Sequence, residues 1–163
     1  MPSPSAVRRP RARAALSNGV SSGKIEIIAL ENSFHGRSLG ALSITGQPKY
    51  RKDFEPLLAG PRWIQPNDMA ALEASVNENT AAIVLEGIQG EGGIYPMYAE
   101  FLRKARALAD AHNALLVFDA TQCGVGRTGI TTACAANSAD RVISALPPVE
   151  AAPPGGQSIK TKS

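Results

Sequence analysis

The organisation of this chain follows from one stretch, Ala114-Leu-Leu-Val-Phe-Asp119-Ala-Thr-Gln122-Cys-Gly-Val-Gly126-Arg127-Thr-Gly129, in which a mostly apolar run ends in a carboxylate and a glycine-rich turn. Val117 and Phe118 favour extended backbone, so the run predicts a buried strand. In open α/β sheets, ligands bind in the crevice beyond the carboxyl ends of the strands. Asp119 therefore stands where such a sheet places a site residue, although capping of a turn is an alternative role.

Two upstream segments have the same organisation. Residues 24–30 are rich in β-branched side chains and predict a strand, followed by a loop with Phe34, His35 and Arg37. Residues 80–86 predict a second buried strand that ends in a carboxylate and is followed by a glycine-rich loop. An Arg at a strand end is suited to bidentate binding of a carboxylate, although a surface charge is the simpler interpretation of Arg37 alone.

A helical pattern precedes each of the second and third predicted strands. Asp68 is a candidate N-cap for a helix with apolar residues at three- and four-residue steps, and residues 98–112 have one apolar face. Strands that alternate with helices predict an α/β fold with a parallel sheet and right-handed crossovers. Residues 39–61 predict an irregular loop with short helical pieces.

Composition limits the classes of protein that fit. Hydrophobic residues make up 44% of the 163 residues and charged residues 19%, which is typical of a globular domain, and no apolar run is long enough to span a bilayer. Cys123 and Cys134 lack metal-type spacing, and His35 and His112 are far apart, so no metal site is predicted. Few cysteines fit a reducing compartment, which favours the cytoplasm.

Both flanks differ in composition from the centre. Residues 1–23 are rich in Ser, Pro, Ala and Arg and are predicted to be disordered; a mitochondrial targeting segment, a nucleic-acid-binding arm and an artefact of gene prediction are the alternatives. The arm lacks aromatic residues that stack on bases, so no nucleic-acid partner is predicted. Residues 130–163 predict a disordered tail, with a short helix near 139–146. The predicted domain therefore comprises residues 24–129.

A dinucleotide site is an alternative function for the turn after Asp119. Gly124, Gly126 and Gly129 match the G-x-G-x-x-G pattern and follow a predicted strand. However, residues that include a carboxylate separate the strand from the first glycine, and no clear helix begins at the third. A carboxylate there would also repel a pyrophosphate, so this remains a minor alternative.

Three strand-end loops occur in an order and with separations that resemble one enzyme family. They are Ser33-Phe34-His35-Gly36-Arg37-Ser38-Leu39-Gly40, Glu86-Gly-Ile-Gln89-Gly-Glu91-Gly-Gly93 and Phe118-Asp119-Ala-Thr-Gln122-Cys-Gly-Val-Gly126-Arg127-Thr-Gly129. Together they resemble the class III pyridoxal-phosphate (PLP) aminotransferases of fold type I. The segment Ala41-Leu-Ser-Ile-Thr-Gly-Gln-Pro-Lys-Tyr50 is most similar to the acetylornithine and ornithine branch, which belongs to arginine biosynthesis.

The resemblance implies a role for each matching residue. Asp119 would hold the pyridine nitrogen of PLP, Gln122 would lie near its phenolic oxygen, and Phe34, beside His35 in the same cofactor-binding loop, would stack on the ring. Arg37 would bind the substrate α-carboxylate. Glu91 matches a family acid that pairs with a distant arginine and helps to distinguish amino donors from acceptors.

The sequence also departs from the family pattern. Ala120 replaces a Glu and Gly87 replaces a Pro, and no phosphate-binding loop is recognisable in residues 1–23. The Schiff-base lysine is not found: Lys160 and Lys162 lie in a polar tail that matches nothing in the family. No catalytic residue is therefore assigned.

Taken together, these features predict part of the large domain of an aminotransferase. The family transfers an amino group from an acetylornithine- or ornithine-like donor to 2-oxoglutarate and has its active sites at a homodimer interface. Without the lysine, the chain alone is expected to be inactive. The alternative is a non-catalytic interaction module, or a degenerate fragment that pairs with a full-length subunit.

Overall fold

The computed structural model describes residues 23–122 and, for the backbone only, Val142–Ala145. In chain order the elements are β1 (Glu26–Leu30), α1 (Leu39–Ile44), α2 (Pro48–Arg51), a 3₁₀ turn (Lys52–Phe54), β2 (Pro61–Ile64), α3 (Met69–Ser75), β3 (Thr80–Glu86), β4 (Ile88–Gln89), β5 (Tyr95–Pro96), α4 (Ala99–Ala111), β6 (Leu115–Asp119) and β7 (Val142–Ala145). Five of the strands form one parallel sheet in the order β2-β1-β3-β6-β7. The predicted α/β fold with a parallel sheet is therefore confirmed.

Apolar side chains pack on both faces of the sheet. On one face, the buried side of α4 packs against central strand residues; this core includes Ile83, Leu85, Leu116, Phe101, Ala105 and Ala109. Ala82, Val84 and Leu115 form a smaller cluster apart from this core. Strands buried on both faces need nearly continuous apolar sequence, which is why β3 and β6 lack the polar alternation of half-exposed strands.

Local signals place the two longer helices where the sequence predicts them. Asp68 is the N-cap of α3, and its Oδ1 accepts a hydrogen bond from the backbone N–H of Ala71 at 2.9 Å. This bond satisfies one of the N–H groups that a helix start leaves without a partner.

The loop predicted over residues 39–61 contains α1, α2 and the 3₁₀ turn, which are the short helical pieces expected there.

Two strands of the parallel sheet differ from the sequence predictions, and the short hairpin of β4 and β5 lies in what was predicted as a glycine-rich loop. β2 was not predicted, because it is only four residues long and contains Pro61, Arg62 and Trp63 instead of a β-branched run. The short helix predicted near 139–146 is wrong, because Val142–Ala145 is a strand parallel to β6. Its two β-branched residues, followed by two small ones, give little basis for choosing between helix and strand; pairing with β6 decides the outcome.

Several predictions fall outside the described residues. They concern the disorder of residues 1–22, the glycine pattern at Gly124, Gly126 and Gly129, both cysteines, and the tail beyond Ala145. The domain bounds 1–23, 24–129 and 130–163 therefore stay a prediction. In the part of the chain that the structure describes, no helix has the length and apolar character needed to cross a membrane.

Candidate functional site

Three loops leave the same edge of the sheet, because β1, β3 and β6 are neighbouring parallel strands. Glu86 and Asp119, at the carboxyl ends of β3 and β6, are partners in the strand register. The loop after β1 reaches both: the backbone N–H of Phe34 donates to Glu86 Oε2 at 3.1 Å, and Nδ1 of His35 lies 2.9 Å from Asp119 Oδ2. The carboxyl edge of the sheet therefore brings together two carboxyl groups and an imidazole.

Asp119 accepts hydrogen bonds on both of its carboxylate oxygens. Oδ1 accepts from the backbone N–H of Thr121 at 3.1 Å and from the Thr121 hydroxyl at 2.5 Å, while Oδ2 pairs with His35. Burial alone would raise the pKa of Asp119, but the hydrogen bonds from His35 and Thr121 outweigh burial and lower this pKa below its ordinary value. Asp119 is therefore ionised at neutral pH. Its Oδ2 also retains a second acceptor position.

His35 is held from two directions. Its backbone N–H donates to Thr45 Oγ1 at 3.1 Å, and its side chain, only 3% exposed, contacts Asp119. Because the ionised Asp119 can only accept, Nδ1 is the donor in this pair. Within residues 23–122, Nε2 of His35 has no hydrogen-bond partner. The ring therefore orients Asp119, a contact that its position in the motif did not predict.

Glu86 is a buried carboxyl group with a different character. It is 3% exposed and receives the backbone N–H of Phe34. Burial raises the pKa of Glu86 to about 7; the backbone hydrogen bond and the nearby His35 oppose the rise, and the charge of Asp119 adds to it. Glu86 therefore exchanges its proton near neutral pH, while Asp119 beside it stays charged.

The aromatic residue of the first loop packs against a second ring. The centroids of Phe34 and Tyr50 are 5.2 Å apart, and the ring planes meet at 65°, an edge-to-face arrangement. Phe34 itself is half-buried, so part of its surface remains accessible at the site. Tyr50 lies in α2, one of the short helical pieces predicted within the loop over residues 39–61.

The remaining predicted site residues lie in the same loops but are exposed. Arg37 and Glu91 are solvent-exposed in the loops after β1 and β3. Gln122 is also exposed and lies against the loop after β3: a Cβ placed on Gly90 would be 3.0 Å from Cγ of Gln122. The structure thus brings Phe34, His35 and Asp119 close together, and it leaves the two predicted substrate-binding residues at the surface.

Sequence reasoning missed three contributors to this site. It treated Glu86 only as the end of a strand, and it assigned no role to Thr121 or Tyr50. The spacing of Asp119 and Thr121 was a usable signal, because an aspartate often accepts hydrogen bonds from the backbone and hydroxyl two residues later. No local signal identifies Tyr50, whose contact depends on how two loops fold together. Across residues 23–122, no cluster of three or more His, Cys, Asp or Glu side chains has the arrangement of a metal site.

Known proteins are similar to this chain over about two thirds of its length. The chain is 56% identical over 107 residues to the acetylornithine aminotransferase of Neisseria meningitidis serogroup A, an alignment that covers 66% of this chain and 27% of the relative. It is 51% identical over 106 residues to the acetylornithine aminotransferase of Clostridium acetobutylicum, with 65% and 27% covered. The chain thus spans about a quarter of the length of these curated relatives.

Solved structures have the same fold. The N-acetylornithine aminotransferase of Stenotrophomonas maltophilia superposes with a TM-score of 0.58 at 34% identity, over 86% of this chain and 34% of that one. The ornithine aminotransferase of Toxoplasma gondii superposes with a TM-score of 0.69 at 27% identity, over 83% and 35%. The model of the aminotransferase class-III family matches residues 5–145, which extends beyond the motif-bearing segment on both sides. The chain therefore belongs to the class III aminotransferases, as the resemblance of its three loops predicted.

Proposed function

We propose that this carboxyl edge of the sheet is the PLP-binding part of an aminotransferase site. The observation that carries this proposal is the carboxyl group of Asp119 at the end of β6, which His35 and Thr121 hold and which has one acceptor position on Oδ2 left over. A cationic ring N–H is the partner that such a carboxylate stabilises. The donor set around Asp119 therefore fits a protonated pyridine nitrogen.

The other residues at this edge of the sheet would complete the cofactor site. When bound, PLP supplies an electron sink for chemistry at the α-carbon of an amino acid. Asp119 would keep the ring nitrogen protonated, Phe34 would pack on the ring, and Gln122 would lie near the phenolic oxygen. His35 would keep Asp119 oriented. Ala120 is buried beside Asp119, so this wall of the site has a methyl group where family members usually have a carboxylate.

The names of the relatives and the exposed charges of Arg37 and Glu91 support a proposal for the substrates. The two acetylornithine aminotransferases described above are identical to this chain at about half of the aligned positions. We therefore propose an ornithine-type amino donor and 2-oxoglutarate as acceptor. Arg37 would bind the α-carboxylate, since a guanidinium matches a carboxylate with two parallel hydrogen bonds. Glu91 would contribute to the choice between donor and acceptor.

The proposed reaction needs a Schiff-base lysine, and no lysine of this chain matches the one that the family uses. Transamination requires a base that moves the α-proton, and in this family a lysine also holds the cofactor covalently. After Asp119 the sequence contains only Lys160 and Lys162, which lie outside the described residues. We propose that this chain by itself holds PLP without a covalent bond and does not complete transamination.

Titration with PLP tests the proposal. Visible absorbance and induced circular dichroism of PLP are measured for the parent chain, for Asp119→Asn and for Asp110→Asn, a matched change on the exposed side of α4. We expect Asp119→Asn to weaken PLP binding by about 10- to 100-fold, because a charge-assisted hydrogen bond contributes about 1.5–3 kcal/mol. Asp110→Asn should leave binding unchanged. Equal binding by all three proteins would contradict the proposal.

Borohydride reduction followed by mass analysis tests the non-covalent part separately. We expect no specific pyridoxyl adduct on the parent chain. A single adduct on one lysine that Asp119→Asn abolishes would show that a covalent site exists, and the proposal of non-covalent binding would be wrong.

Exposed apolar side chains favour a second candidate function. Ile94 and Phe54 are 78% and 64% exposed, and a partner chain that packs on them would remove this apolar surface from water. A subunit that pairs with a full-length aminotransferase, or with a second copy of itself, would cover such residues. Co-purification with a tagged full-length relative, reduced by Ile94→Lys, would support this interaction module. A monomeric chain that captures no such subunit would exclude it.

A further inference from the structure

We propose that Tyr50 is a positioning residue that holds the Phe34 ring in the orientation in which it receives the cofactor ring. This inference rests on the proposed function and goes beyond it, because Tyr50 belongs to none of the three strand-end loops. The observation is the edge-to-face contact of the two rings, with centroids 5.2 Å apart. An aromatic ring that stacks on a flat ligand loses less freedom on binding when it is already fixed.

The backbone of Phe34 is fixed independently of its ring. The N–H of Phe34 donates to Glu86 Oε2 and the N–H of His35 donates to Thr45 Oγ1, both at 3.1 Å. These bonds settle where the Phe34 side chain leaves the backbone, but they do not restrict its χ angles. A packing partner is needed for that.

Hydrogen bonds tie the Phe34 loop to the segment that leads into α2. The N–H of Gly46 donates to Ser33 Oγ at 3.0 Å, and Nε2 of the buried Gln47 donates to the carbonyl oxygen of Asn32 at 3.1 Å. Gly46 has no space for a side chain, because a Cβ there would lie 1.9 Å from the carbonyl oxygen of Leu30. These contacts fix the position of the Gly46–Gln47 segment relative to the Phe34 loop. Tyr50 comes shortly after this segment in the chain, so the same contacts bring it near that loop.

Stacking attaches α2 to the sheet as well. The guanidinium of Arg51 lies 3.9 Å from the ring centroid of Trp63 in β2, and Trp63 Nε1 donates to the carbonyl oxygen of Ile44 at 3.1 Å. Within residues 23–122, Arg51 Nε has no hydrogen-bond partner, so stacking is the contact that holds this part of the side chain. Tyr50 is next to Arg51 and is itself half-buried. The backbone that carries the Tyr50 ring is thus anchored beside the sheet.

A cation adds to this support. Nζ of Lys49 lies 4.8 Å from the centroid of the Tyr50 ring. A cation over an aromatic face is attracted to it and favours one ring orientation. None of these contacts uses the Tyr50 hydroxyl, so the inference predicts that phenylalanine can replace Tyr50.

Aromatic NMR of the full chain without cofactor tests the positioning directly. The chain contains four phenylalanines, and the signals that disappear in Phe34→Leu assign the Phe34 ring; Phe101 and Phe118 are buried in the core. We expect Tyr50→Leu to shift the Phe34 ring signals and to speed its ring flips, because the ring current and the packing partner are lost. Tyr50→Phe should retain the parent signals. Unchanged Phe101 and Phe118 signals show that the core is intact, and an unperturbed Phe34 in a folded Tyr50→Leu chain would overturn the inference.

PLP titration tests the consequence for the cofactor. Induced circular dichroism of PLP reports how rigidly its ring is held. We expect Tyr50→Leu to lower affinity by about 3- to 10-fold and to reduce this signal, in keeping with the strength of an aromatic pair. Tyr50→Phe should restore both, and Tyr98→Leu, a matched change at an exposed tyrosine, should alter neither.

The two measurements separate this inference from the proposed function. If the parent chain gives no PLP signal, the proposed function fails and the NMR comparison alone decides whether Tyr50 positions Phe34. If the parent binds PLP and Tyr50→Leu binds it equally well, the proposed function stands and the positioning role of Tyr50 is wrong.

Discussion

Strands β3 and β6 lie side by side, and each is an apolar run that ends in a carboxyl group. The pKa values of these two groups nevertheless shift in opposite directions. The pKa of Glu86 rises to about 7, and that of Asp119 falls below its ordinary value. Both are largely shielded from solvent, with Glu86 3% exposed and the side chain of Asp119 12% exposed. Burial therefore does not by itself explain the difference.

The donors around each carboxyl group explain it. Asp119 receives an imidazole N–H, a hydroxyl and a backbone N–H, whereas Glu86 depends on backbone N–H groups and faces the charge of Asp119. Once one carboxylate of a close pair is stabilised as an anion, ionisation of the other costs more. Two strand ends with similar sequences thus produce one carboxyl group with a lowered pKa and one whose pKa lies near neutral pH.

The largest expected effect is the pH dependence of stability that Glu86 causes. Its pKa of about 7 in the folded chain exceeds the ordinary value of 4.5, so the folded state keeps a proton that the unfolded chain releases in this interval. The stability from Glu86 is full below the ordinary pKa and is lost as pH rises through the folded pKa, a change of up to about 3 kcal/mol. Urea unfolding across this range should show the decline in the parent and not in Glu86→Gln.

Glu100→Gln, in the exposed first turn of α4, is the matched control for that series and should keep the decline of the parent. A Glu86→Gln chain with the same pH profile as the parent would show that Glu86 does not hold a proton in the folded state. The difference between the two strand ends would then disappear.

The next largest effect concerns the donor that distinguishes Asp119. His35→Leu removes the imidazole N–H, and we expect a loss of about 1–2 kcal/mol in unfolding free energy at neutral pH. The lowered pKa of Asp119 contributes stability that is present above the unfolded pKa and lost as pH falls through the folded pKa. Most of that acid-sensitive contribution should be missing in His35→Leu, as urea unfolding in acid and at neutral pH would show.

His35→Asn separates the hydrogen bond from simple packing, because its amide N–H can occupy the place of Nδ1. Recovery of the acid limb in His35→Asn, but not in His35→Leu, is the expected pattern. If both variants behave alike, the bond to Asp119 is not what lowers its pKa.

The smallest effect is expected at Thr121. Thr121→Val removes the hydroxyl donor to Asp119 Oδ1 but keeps the backbone N–H, so the loss should be about 0.5–1 kcal/mol. Thr121→Ser retains the hydroxyl and should match the parent. Thermal unfolding at neutral pH distinguishes the two, and a Thr121→Val chain as stable as the parent would show that the backbone bond is sufficient.

The sequence predicted the parts of the fold that depend on local pattern. Continuous apolar runs identified β3 and β6, and Asp68 marked the start of α3 because its capping role needs only the next few residues. β2 has no such pattern. The four residues of β7 fit either a helix or a strand, and they lie in a segment that was predicted as a short helix. Their strand conformation comes from pairing with β1 and β6, which a local pattern does not encode.

The site shows the same limit. That Phe34, His35 and Asp119 lie at strand ends was predictable, because parallel strands share one carboxyl edge. The bond between His35 and Asp119 joins residues 84 positions apart, and the contact between Phe34 and Tyr50 depends on Gly46 and Gln47. Such contacts arise from loop packing, so neither the direction of the Asp119 pKa nor the support of Phe34 could be obtained from residue types alone.

The most direct test of this account is the carbon-13 chemical shift of the Asp119 side-chain carboxyl at neutral pH, followed as PLP is added to the full chain. We predict the shift of an ionised carboxylate before addition and a saturable change at Asp119 as PLP binds. A protonated Asp119, or a carboxylate that does not respond while PLP binds elsewhere, would contradict the assignment of this strand end as the cofactor site.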